Sequence, residues 1–492
     1  MTRWIAFAAT ACACFGLSAC ATHAPSAGLI ISNVTVVSPE RAQPLEHAYV
    51  RIVDGRISEV STRPLRGATQ IDGTDRYLIP GLIDSHVHLA VSPGYPSAMT
   101  AQQAAAHPKV VAAALEQDPR SYLFFGFTTV VDLVGSGERI AQWNAREVRP
   151  DAYFCGAAAI IDGQIRYIHF PYFSYDEPLE KRIPPVVDPA SHTPEAIVAH
   201  MAADGAICVK TIYERGFTPT VEEVRALVSA AHARGMPVFI HANRKGAQAF
   251  AVAAGVDVIA HGMWRDPGED DALDAEAREV LAAVVRDGIG YQPTTQVIAG
   301  LLDMLDTDYL ARPDVADAYP VALINMYVTE GAAGRPGFLK STDIELRTRL
   351  RGTIGRATEV TRILARANAH LLFGTDTPSD LIYTNPPGLN GRLEMNHWIA
   401  AGVSEKQLFR ALTIDNAREL HLESQLGTVE AGKVANLLLL RADPLRSVEA
   451  YDMIESVFLH GRPISRAELS AREAPAVSAG TAFDGKNRSR SN

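Results

Sequence analysis

The chain has 492 residues, of which 47% are hydrophobic and 21% are charged, a composition typical of folded globular proteins rather than disordered ones. Its formal net charge is −10, from 46 basic and 56 acidic side chains, and the folded part contains no dense basic cluster. This balance argues against nucleic acid as a partner, and the length allows several domains or one large barrel with an accessory domain.

The first twenty residues have the anatomy of a secretory signal peptide. Arg3 precedes an uncharged apolar stretch from Trp4 to Leu17, which is too short to span a bilayer as a lone helix. The letters LSAC at residues 17–20 resemble a bacterial lipobox, in which the cysteine is lipidated and becomes the mature N-terminus. We therefore predict a signal over residues 1–20 and a lipid on Cys20 as the only membrane contact. The protein would then face the periplasm at the outer membrane; an ordinary cleaved signal or a buried apolar helix is the alternative.

Only Cys155 and Cys208 remain for the folded part, because Cys12 and Cys14 lie in the signal and Cys20 is the expected lipidation site. Two cysteines are too few for a scaffold of several disulfide bonds, although an exported protein can contain a single disulfide bond. We interpret them as small buried apolar residues and leave a Cys155–Cys208 bridge open.

Short strands are predicted near both ends of the chain. Residues 21–28 are small and polar, as in a tether, and the runs that follow are LIISNVTVV, AYVRIVDGRISEV and TQIDGTDRYLIP, with turn signals between them. The runs GTVEAGKVANLLLL and SVFLHG have the same character. These segments, residues 29–79 and 426–465, predict a small composite β-sheet domain. Residues 466–492 are rich in Ala, Ser, Gly and Arg and predict a disordered tail.

Residues 80–425 alternate short apolar runs with helical stretches, which is the pattern of βα units around a parallel sheet. Eight runs occur: LIDSHVHL, TTVVDL, AYFCGAA, AICVKTI, PVFIHA, VDVIAHG, GIGYQPTT and AHLLFGTD. Eight strands close an α/β fold of the (β/α)8, TIM-barrel type. Between them, TVEEVRALVSAAHARG has helical spacing that Gly235 ends. The long connection from Gln292 to Asp376 predicts extra helices and a lid.

Histidines lie at the C-terminal ends of these runs, where barrel enzymes carry their chemistry. His86 and His88 are two positions apart on one strand and therefore face the same side. His241 ends the fifth run and His261 ends the sixth. One such residue alone could be a core histidine bonded to a carbonyl group, but four at one barrel mouth predict a site for an ion such as zinc.

Asp376 and Lys210 complete this set. Asp376 ends the eighth run, where an ionised carboxylate needs a cation or hydrogen-bond donors; a helix N-cap or turn aspartate is the alternative. Lys210 ends the fourth run, and its protonated amine would repel a metal ion because it has no lone pair. Addition of carbon dioxide to the amine would give an anionic carbamate able to bridge two ions, whereas an unmodified lysine would pair with acidic groups at the mouth.

Together these motifs resemble the amidohydrolase superfamily, in particular its imidazolonepropionase-like and prolidase-like branch. The resemblance covers about residues 29–465 and includes LIPGLIDSHVHL, GFTTVVDL, AAHARGMPVFIHAN, AAGVDVIAHG, GTDTP and LGTVEAGKVANLLLLRADPL. It implies two divalent ions, zinc being expected. One ion would be held by His86, His88 and Asp376, and the other by His241 and His261, with carboxylated Lys210 bridging them.

The same resemblance implies hydrolysis of an amide bond in a small substrate such as a dipeptide, an N-acyl amino acid or a lactam. A hydroxide bridging the ions would attack the carbonyl carbon, with Asp376 as general acid and base. Tyr213, three residues beyond Lys210, is a candidate donor to the carbonyl oxygen. His169 and nearby aromatic residues are candidates for lining the pocket, or else form a packed loop over the barrel rim.

Two positions depart from the family pattern. Relatives that cleave dipeptides often carry a Gly-Gly-His run after strand three, where this chain reads GAAAIIDGQIRYIHFPYFSYD, which weakens a dipeptidase assignment. Asn436 stands where relatives usually carry Asp in the terminal β segment, and we expect this change to affect only structure.

Two other functions stay open. A mononuclear deaminase or imidazolone-type ring hydrolase is the alternative among enzymes, and Lys210 argues against it because such relatives generally lack the bridging lysine. A non-catalytic, ligand-binding surface lipoprotein is the alternative from another class, and it would be expected to have lost metal ligands. The sequence leaves the exact substrate, the native metal and the oligomeric state open, a homo-oligomer included.

Overall fold

The computed structural model describes residues 28–89, 106–168, 186, 188–214, 217–264, 272–305, 308–330, 343–378 and 382–473. The strands are β1 Leu29–Val36, β2 Leu45–Val53, β3 Arg56–Ser61, β4 Thr69–Asp72, β5 Tyr77–Pro80, β6 Leu82–Val87, β7 Phe127–Asp132, β8 Asp151–Ile161, β9 Gln164–Ile168, β10 Cys208–Ile212, β11 Val238–His241, β12 Val258–Ala260, β13 Gly290–Gln292, β14 Leu437–Leu440, β15 Ile454–Leu459 and β16 Arg462–Ser465.

The α-helices are α1 Pro108–Phe124, α2 Gly137–Asn144, α3 Pro194–Ala203, α4 Val221–His232, α5 Lys245–Ala254, α6 Ala275–Arg286, α7 Thr295–Asp303, α8 Pro313–Ala318, α9 Val321–Glu330, α10 Asp343–Arg366, α11 Leu389–Ala400, α12 Glu405–Arg410, α13 Asn416–Glu419 and α14 Arg466–Leu469. A π-turn, Ala411–Asp415, joins α12 to α13, and short 3-10 helices occupy Pro189–His192, Tyr309–Ala311, Val448–Met453 and Ala471–Glu473. Helices α7 to α10 lie in the long connection after the seventh run, as predicted.

Strands from the two ends of the chain form one mixed sheet, in the order β16-β15-β14-β5-β1-β2-β3, with β4 beside β1. The two ends meet where β14 runs antiparallel to β5, with Leu438 opposite Ile79. One face buries an apolar cluster to which Ile31, Val50 and Leu437 belong. The predicted composite sheet is therefore confirmed, and it brings residues far apart in sequence into one hydrogen-bonded unit.

The second sheet is the predicted barrel, with seven parallel strands in the order β6-β7-β8-β10-β11-β12-β13. These strands are the first seven of the eight runs. The eighth run, residues 369–376, is not a regular strand, yet it hydrogen-bonds to both edge strands: Leu372 N donates to Tyr291 O, and Ser85 N donates to Phe373 O. The eighth segment thus lies between β13 and β6. Strand β9, which pairs antiparallel with β8, was not predicted.

Asn416 stabilises this irregular closure. Its side-chain Nδ2 donates to Ile83 O at 2.9 Å and to Phe373 O at 2.7 Å, and its Oδ1 accepts from Phe373 N and from Ser85 Oγ. The side chain is fully buried at the start of α13. Because buried backbone groups need partners, this amide adds hydrogen bonds to Ile83 and Phe373 where the strand ladder is irregular.

A buried apolar layer fills the barrel below the predicted ligands, with Ile83, Val131, Phe239 and Leu372 among its members and leucines after α13 packed against it. Phe239 precedes His241 by two positions, so both side chains face the same side of their strand.

This layer contains a disulfide bond. Cys155 of β8 and Cys208 of β10 lie opposite each other in register, and their sulfur atoms are bonded. The prediction that both are buried is confirmed, but their interpretation as separate apolar residues is wrong. The pairing depends on the register of two parallel strands that are 53 residues apart in sequence, which the sequence pattern does not specify.

Asn436 connects the composite sheet to the barrel. Its Nδ2 donates to Asp151 Oδ2 at 2.7 Å at the first residue of β8, and its Oδ1 accepts from His460 N. An aspartate here would place a second carboxylate against Asp151 and would raise the pKa of one of them. The contacts agree with the expectation of a structural effect at this position.

The last described residues are more ordered than the sequence indicated. Residues 466–473, assigned above to a disordered tail, form α14 and a 3-10 turn, and the side chain of Gln117 in α1 donates to Leu469 O at 2.9 Å. The buried side chain of Leu469, together with the hydrogen bonds of Ser470 and Arg472 to Asp317, accounts for the difference. Residues 474–492, the rest of the predicted tail, lie outside the described residues, as do residues 1–27 with the predicted signal and most of the tether.

Within the described part of the chain, no helix has the length and apolar character needed to cross a membrane.

Replacing both Cys155 and Cys208 with alanine should lower the free energy of unfolding by about 2–4 kcal/mol, because the bond closes a loop of 53 residues in the unfolded chain. Urea denaturation of the variant and of the wild type measures the difference. Wild-type protein refolded with a reductant is the matched control, because it keeps both sulfur atoms without the bond. Equal free energies of unfolding for the oxidised and reduced wild type would show that the bond does not stabilise the fold.

Candidate metal centre

All six residues predicted as metal ligands lie at the C-terminal ends of the barrel segments. His86 is in β6 with His88 just beyond it, Lys210 is in β10, and His241 ends β11. His261 follows β12, and Asp376 lies in the eighth segment. In a parallel barrel these ends share one face, which is why residues spread over 290 positions of sequence meet.

Three histidines lie around the carboxylate of Asp376. Its Oδ1 is 2.9 Å from His88 Nε2 and 3.1 Å from His86 Nε2, and its Oδ2 is 3.8 Å from His261 Nδ1. Potential ligand atoms of His86, His261 and Asp376 all lie within 4.8 Å of one another. His241 adjoins this group, with 4.3 Å between the centres of its ring and that of His261.

Lys210 brings a buried amine to the same place. Its Nζ is buried and makes no hydrogen bond to the described residues, and the residue is 7% exposed. Burial lowers the pKa of Lys210 to about 7, although the negative charge of Asp376 opposes the shift. A buried polar atom without a partner is costly, so this amine is suited to a group that the described protein atoms do not supply.

Burial and neighbouring charges also set the state of the histidines. Burial and the charge of Lys210 lower the pKa of His86 to about 4 and that of His241 to about 3. Burial also lowers the pKa of His261 well below its usual value. These three imidazoles are therefore neutral at pH 7 and keep a lone pair for an ion.

His88 differs because two carboxylates contact it. Burial disfavours its charged form, but hydrogen bonds with Asp132 and Asp376 outweigh burial and raise the pKa to about 9. Burial would raise the pKa of Asp376, but its interactions with the rings of His86 and His261 and its hydrogen bonds with His86 and His88 outweigh burial and lower that pKa well below its usual value. Without an ion, a proton on His88 partly neutralises Asp376; an ion would replace that proton, because a metal ligand must be deprotonated.

Side chains that were not predicted orient the histidines from behind. His86 Nδ1 lies 3.2 Å from Gln292 Oε1, His88 Nδ1 lies 3.8 Å from Asp132 Oδ1, and His261 Nδ1 lies 3.0 Å from Thr294 Oγ1. Such partners fix the ring orientation and the tautomer of metal-binding histidines. A signal was present in the sequence, because Asp132 and Gln292 are the last residues of the second and seventh strands.

The backbone is strained at the same positions. His261, Thr294 and Asp376 have φ values of 79°, 44° and 61°, in the left-handed region that residues other than glycine rarely adopt. Such conformations cost about 1–3 kcal/mol each and persist only where the surrounding structure fixes them. Here they occur at two predicted ligands, His261 and Asp376, and at Thr294, whose hydroxyl lies 3.0 Å from His261 Nδ1.

The eighth segment is held against β6 by a buried carboxylate. Asp84 accepts hydrogen bonds from Thr375 Oγ1 at 2.6 Å and from the backbone N–H groups of His86 and Thr375. At Gly374 a Cβ atom would come within 2.7 Å of His86 Cβ, so only glycine allows this approach. These contacts set the position of Asp376 relative to the two histidines of β6.

The two predicted substrate-contacting residues have different outcomes. The ring of Tyr213 stacks on Phe250, with 4.1 Å between ring centres, and its role at the carbonyl oxygen stays a prediction. His169 lies outside the described residues, as do most of the aromatic residues that follow it.

The donor set fits divalent ions of the zinc type. Four imidazoles and a carboxylate are ligands that such ions prefer, and the unpartnered Lys210 amine is placed to become a further oxygen ligand as a carbamate. An ion bound here would also offset the negative charge of Asp376.

Comparisons with known proteins agree with this geometry. The sequence profile of the amidohydrolase family matches residues 77–464. No curated protein matches the chain in sequence.

Solved structures share the fold. A Xaa-Pro dipeptidase with bound methionine is 20% identical, over 89% of this chain and 100% of that chain, with a TM-score of 0.62. An ochratoxinase from A. niger is 19% identical over 89% and 95% of the two chains, with a TM-score of 0.63. Phenylurea hydrolase B is 20% identical, over 90% of this chain and 97% of that chain, with a TM-score of 0.58. At these identities the likeness shows the fold alone.

Proposed function

Because this chain belongs to the amidohydrolase family, a family of hydrolases, we propose that it is a binuclear metal-dependent enzyme that cleaves the amide C–N bond of a small substrate. The observation that carries the proposal is the meeting of His86, His88 and His261 on Asp376. The amine of Lys210 is buried beside them and has no hydrogen-bond partner among the described residues. Dipeptides, N-acyl amino acids and lactams are the proposed substrate classes. A dipeptidase among the similar structures supports this choice.

The ligands divide into two sets. His86, His88 and Asp376 would hold one ion, and His241 and His261 would hold the other. Lys210 would bridge the two after its amine takes up carbon dioxide, which requires a neutral amine, and burial favours that state. When bound, two divalent ions supply a water-derived nucleophile near neutral pH and polarise the scissile carbonyl group.

Asp376 performs the proton transfers in this proposal. Water adds its oxygen to the carbonyl carbon, and one of its protons passes to the carboxylate of Asp376. When the C–N bond breaks, Asp376 gives that proton to the leaving nitrogen, so that an acid and an amine result. Asp376 fits this task because its backbone is fixed by the Asp376 N to His86 O hydrogen bond at 2.8 Å, while its side chain keeps 20% exposure.

The alternatives are disfavoured by the same residues. A mononuclear deaminase or ring hydrolase needs only one cluster of ligands and gives no role to the buried Lys210 amine. A non-catalytic binding protein gives no reason for strained backbone at His261 and Asp376, which costs stability.

Replacing Asp376 with asparagine tests the catalytic role. The variant keeps the shape of the side chain and one oxygen that can face an ion, but it cannot accept a proton. We expect it to fold, to retain much of its zinc, and to lose kcat by about 10²- to 10⁴-fold on whichever substrate a screen of dipeptides, N-acyl amino acids and lactams identifies. Metal content is measured on the same sample. Near wild-type kcat in the zinc-loaded variant would exclude Asp376 as the proton-transfer group.

Replacing Lys210 with alanine tests the bridge. The variant should bind close to one ion per chain instead of two and lose most activity, and short carboxylic acids at high concentration should restore part of it. Lys406→Ala, at an exposed position of α12, is the control and should keep both ions. Two tightly held ions with full turnover in Lys210→Ala would remove this lysine from the site.

We also propose that the protein is exported and anchored in the cell envelope through a lipid on Cys20. The buried Cys155–Cys208 disulfide supports export, because such bonds form and persist in oxidising compartments. The anchor itself rests on the lipobox-like residues 17–20.

Changing Cys20 to serine should release the protein from the membrane fraction or leave its signal uncleaved, because serine offers no thiol for lipidation. Fractionation, together with the mass of the mature N-terminus, measures both results. Cys12→Ser, within the signal, serves as the control. Unaltered processing and membrane association of Cys20→Ser would show that the lipobox assignment is wrong.

A further inference from the structure

One of the four histidines at the site is oriented differently from the others. His86, His88 and His261 each turn Nδ1 toward a polar side chain, which leaves Nε2 as the other ring nitrogen. His241 instead turns Nε2 toward polar side chains, so Nδ1 is the nitrogen left over.

Two side chains face His241 Nε2. Glu214 Oε2 lies 3.5 Å away, and Asn243 Nδ2 lies 3.1 Å away. A neutral imidazole carries one proton, so either Nε2 donates and Nδ1 has the lone pair, or the reverse holds. Only the first tautomer can bind an ion through Nδ1 while donating to the carboxylate.

The second tautomer leaves two conflicts. The lone pair of Nε2 would face the oxygen of Glu214, and two acceptors repel each other. In addition, Nε2 of that tautomer would accept from Asn243 Nδ2, and this amide orientation leaves Asn243 Oδ1 buried with no hydrogen bond among the described residues. Rotating the Asn243 amide by 180° would place Oδ1 against an Nε2–H group and remove both conflicts.

We propose that Glu214 is a positioning residue, which accepts the Nε2–H of His241 and thereby reserves Nδ1 for the second metal ion. Asn243 assists as a second acceptor. The inference rests on the proposed binuclear function and adds to it the residue that selects the tautomer of one ligand.

The local structure holds Glu214 in place for this contact. It follows β10, and the preceding residue, Tyr213, donates its N–H to His241 O at 3.0 Å, which ties the ends of β10 and β11 together. Glu214 and Phe217 exchange two backbone hydrogen bonds, which hold the backbone of Glu214 in place.

The test measures zinc affinity of the full chain by competition with a chelator. Removing a hydrogen-bond partner of a metal-binding histidine typically weakens metal binding by about 10- to 100-fold. We expect Glu214→Ala to weaken the binding of one of the two zinc ions by that factor. Glu214→Gln keeps an oxygen that accepts the Nε2–H, so its zinc affinity should fall less. Glu222→Ala removes a highly exposed carboxylate from the first turn of α4 and should leave both affinities unchanged.

The outcomes separate this role from the proposed function. If the wild type binds no zinc, the binuclear function fails and this role fails with it. If the wild type binds two ions and Glu214→Ala binds both equally well, only the role of Glu214 is overturned. Equal losses in the alanine and glutamine variants would show that charge, and not hydrogen-bond acceptance, is responsible, which also overturns it.

A second measurement avoids dependence on how the variants fold. In a crystal structure of the zinc-loaded wild type, with zinc located by anomalous scattering, the ion beside His241 should contact Nδ1, with Nε2 toward Glu214. Coordination through Nε2 would overturn the proposal.

Discussion

The placement of an ionised carboxylate among buried imidazoles is the interaction on which this structure depends. Asp376 lies within hydrogen-bonding distance of His86 and His88 and close to His261, next to a buried amine. Removing such groups from water is costly, and they offset one another only if their geometry is held accurately. The contacts around the site can be understood as the means of holding it.

The barrel closes irregularly for this reason. The eighth segment reaches Asp376 through a left-handed backbone conformation and is not a regular strand. Side-chain hydrogen bonds from Asn416, and between Asp84 and Thr375, therefore add to its backbone hydrogen bonds with the two edge strands. Gly374 permits the close approach to His86. Below, an apolar layer packs between the strands, and the Cys155–Cys208 bond joins β8 to β10, the strand that carries Lys210. Rigid elements beneath a site and specific polar contacts around it are what precise ligand geometry needs.

Polar side chains around the histidines also help to fix the geometry of the site. Gln292, Asp132 and Thr294 each contact one ring nitrogen and leave the other for an ion, while Glu214 and Asn243 contact His241 from the opposite ring edge. These contacts show which nitrogen of each histidine is turned toward a neighbouring side chain. Among these side chains Glu214 is the most exposed, at 40%.

The sequence by itself determined the periodic features: eight runs of a barrel, the composite sheet and six polar residues at strand ends, because strand periodicity and turn residues are local properties of the chain. It did not determine which side chains meet across strands. The Cys155–Cys208 bond, the Asn436 contact with Asp151 and the anchoring of residues 466–473 depend on register and packing between distant segments. The partners of the histidines, the left-handed turns at His261, Thr294 and Asp376, and the contact between Glu214 and His241 were likewise decided only by the tertiary structure. Their physical reason is the same in each case: a buried polar group takes whichever partner the closed barrel brings within a few ångströms, and that proximity is not encoded in the spacing of residues along the chain.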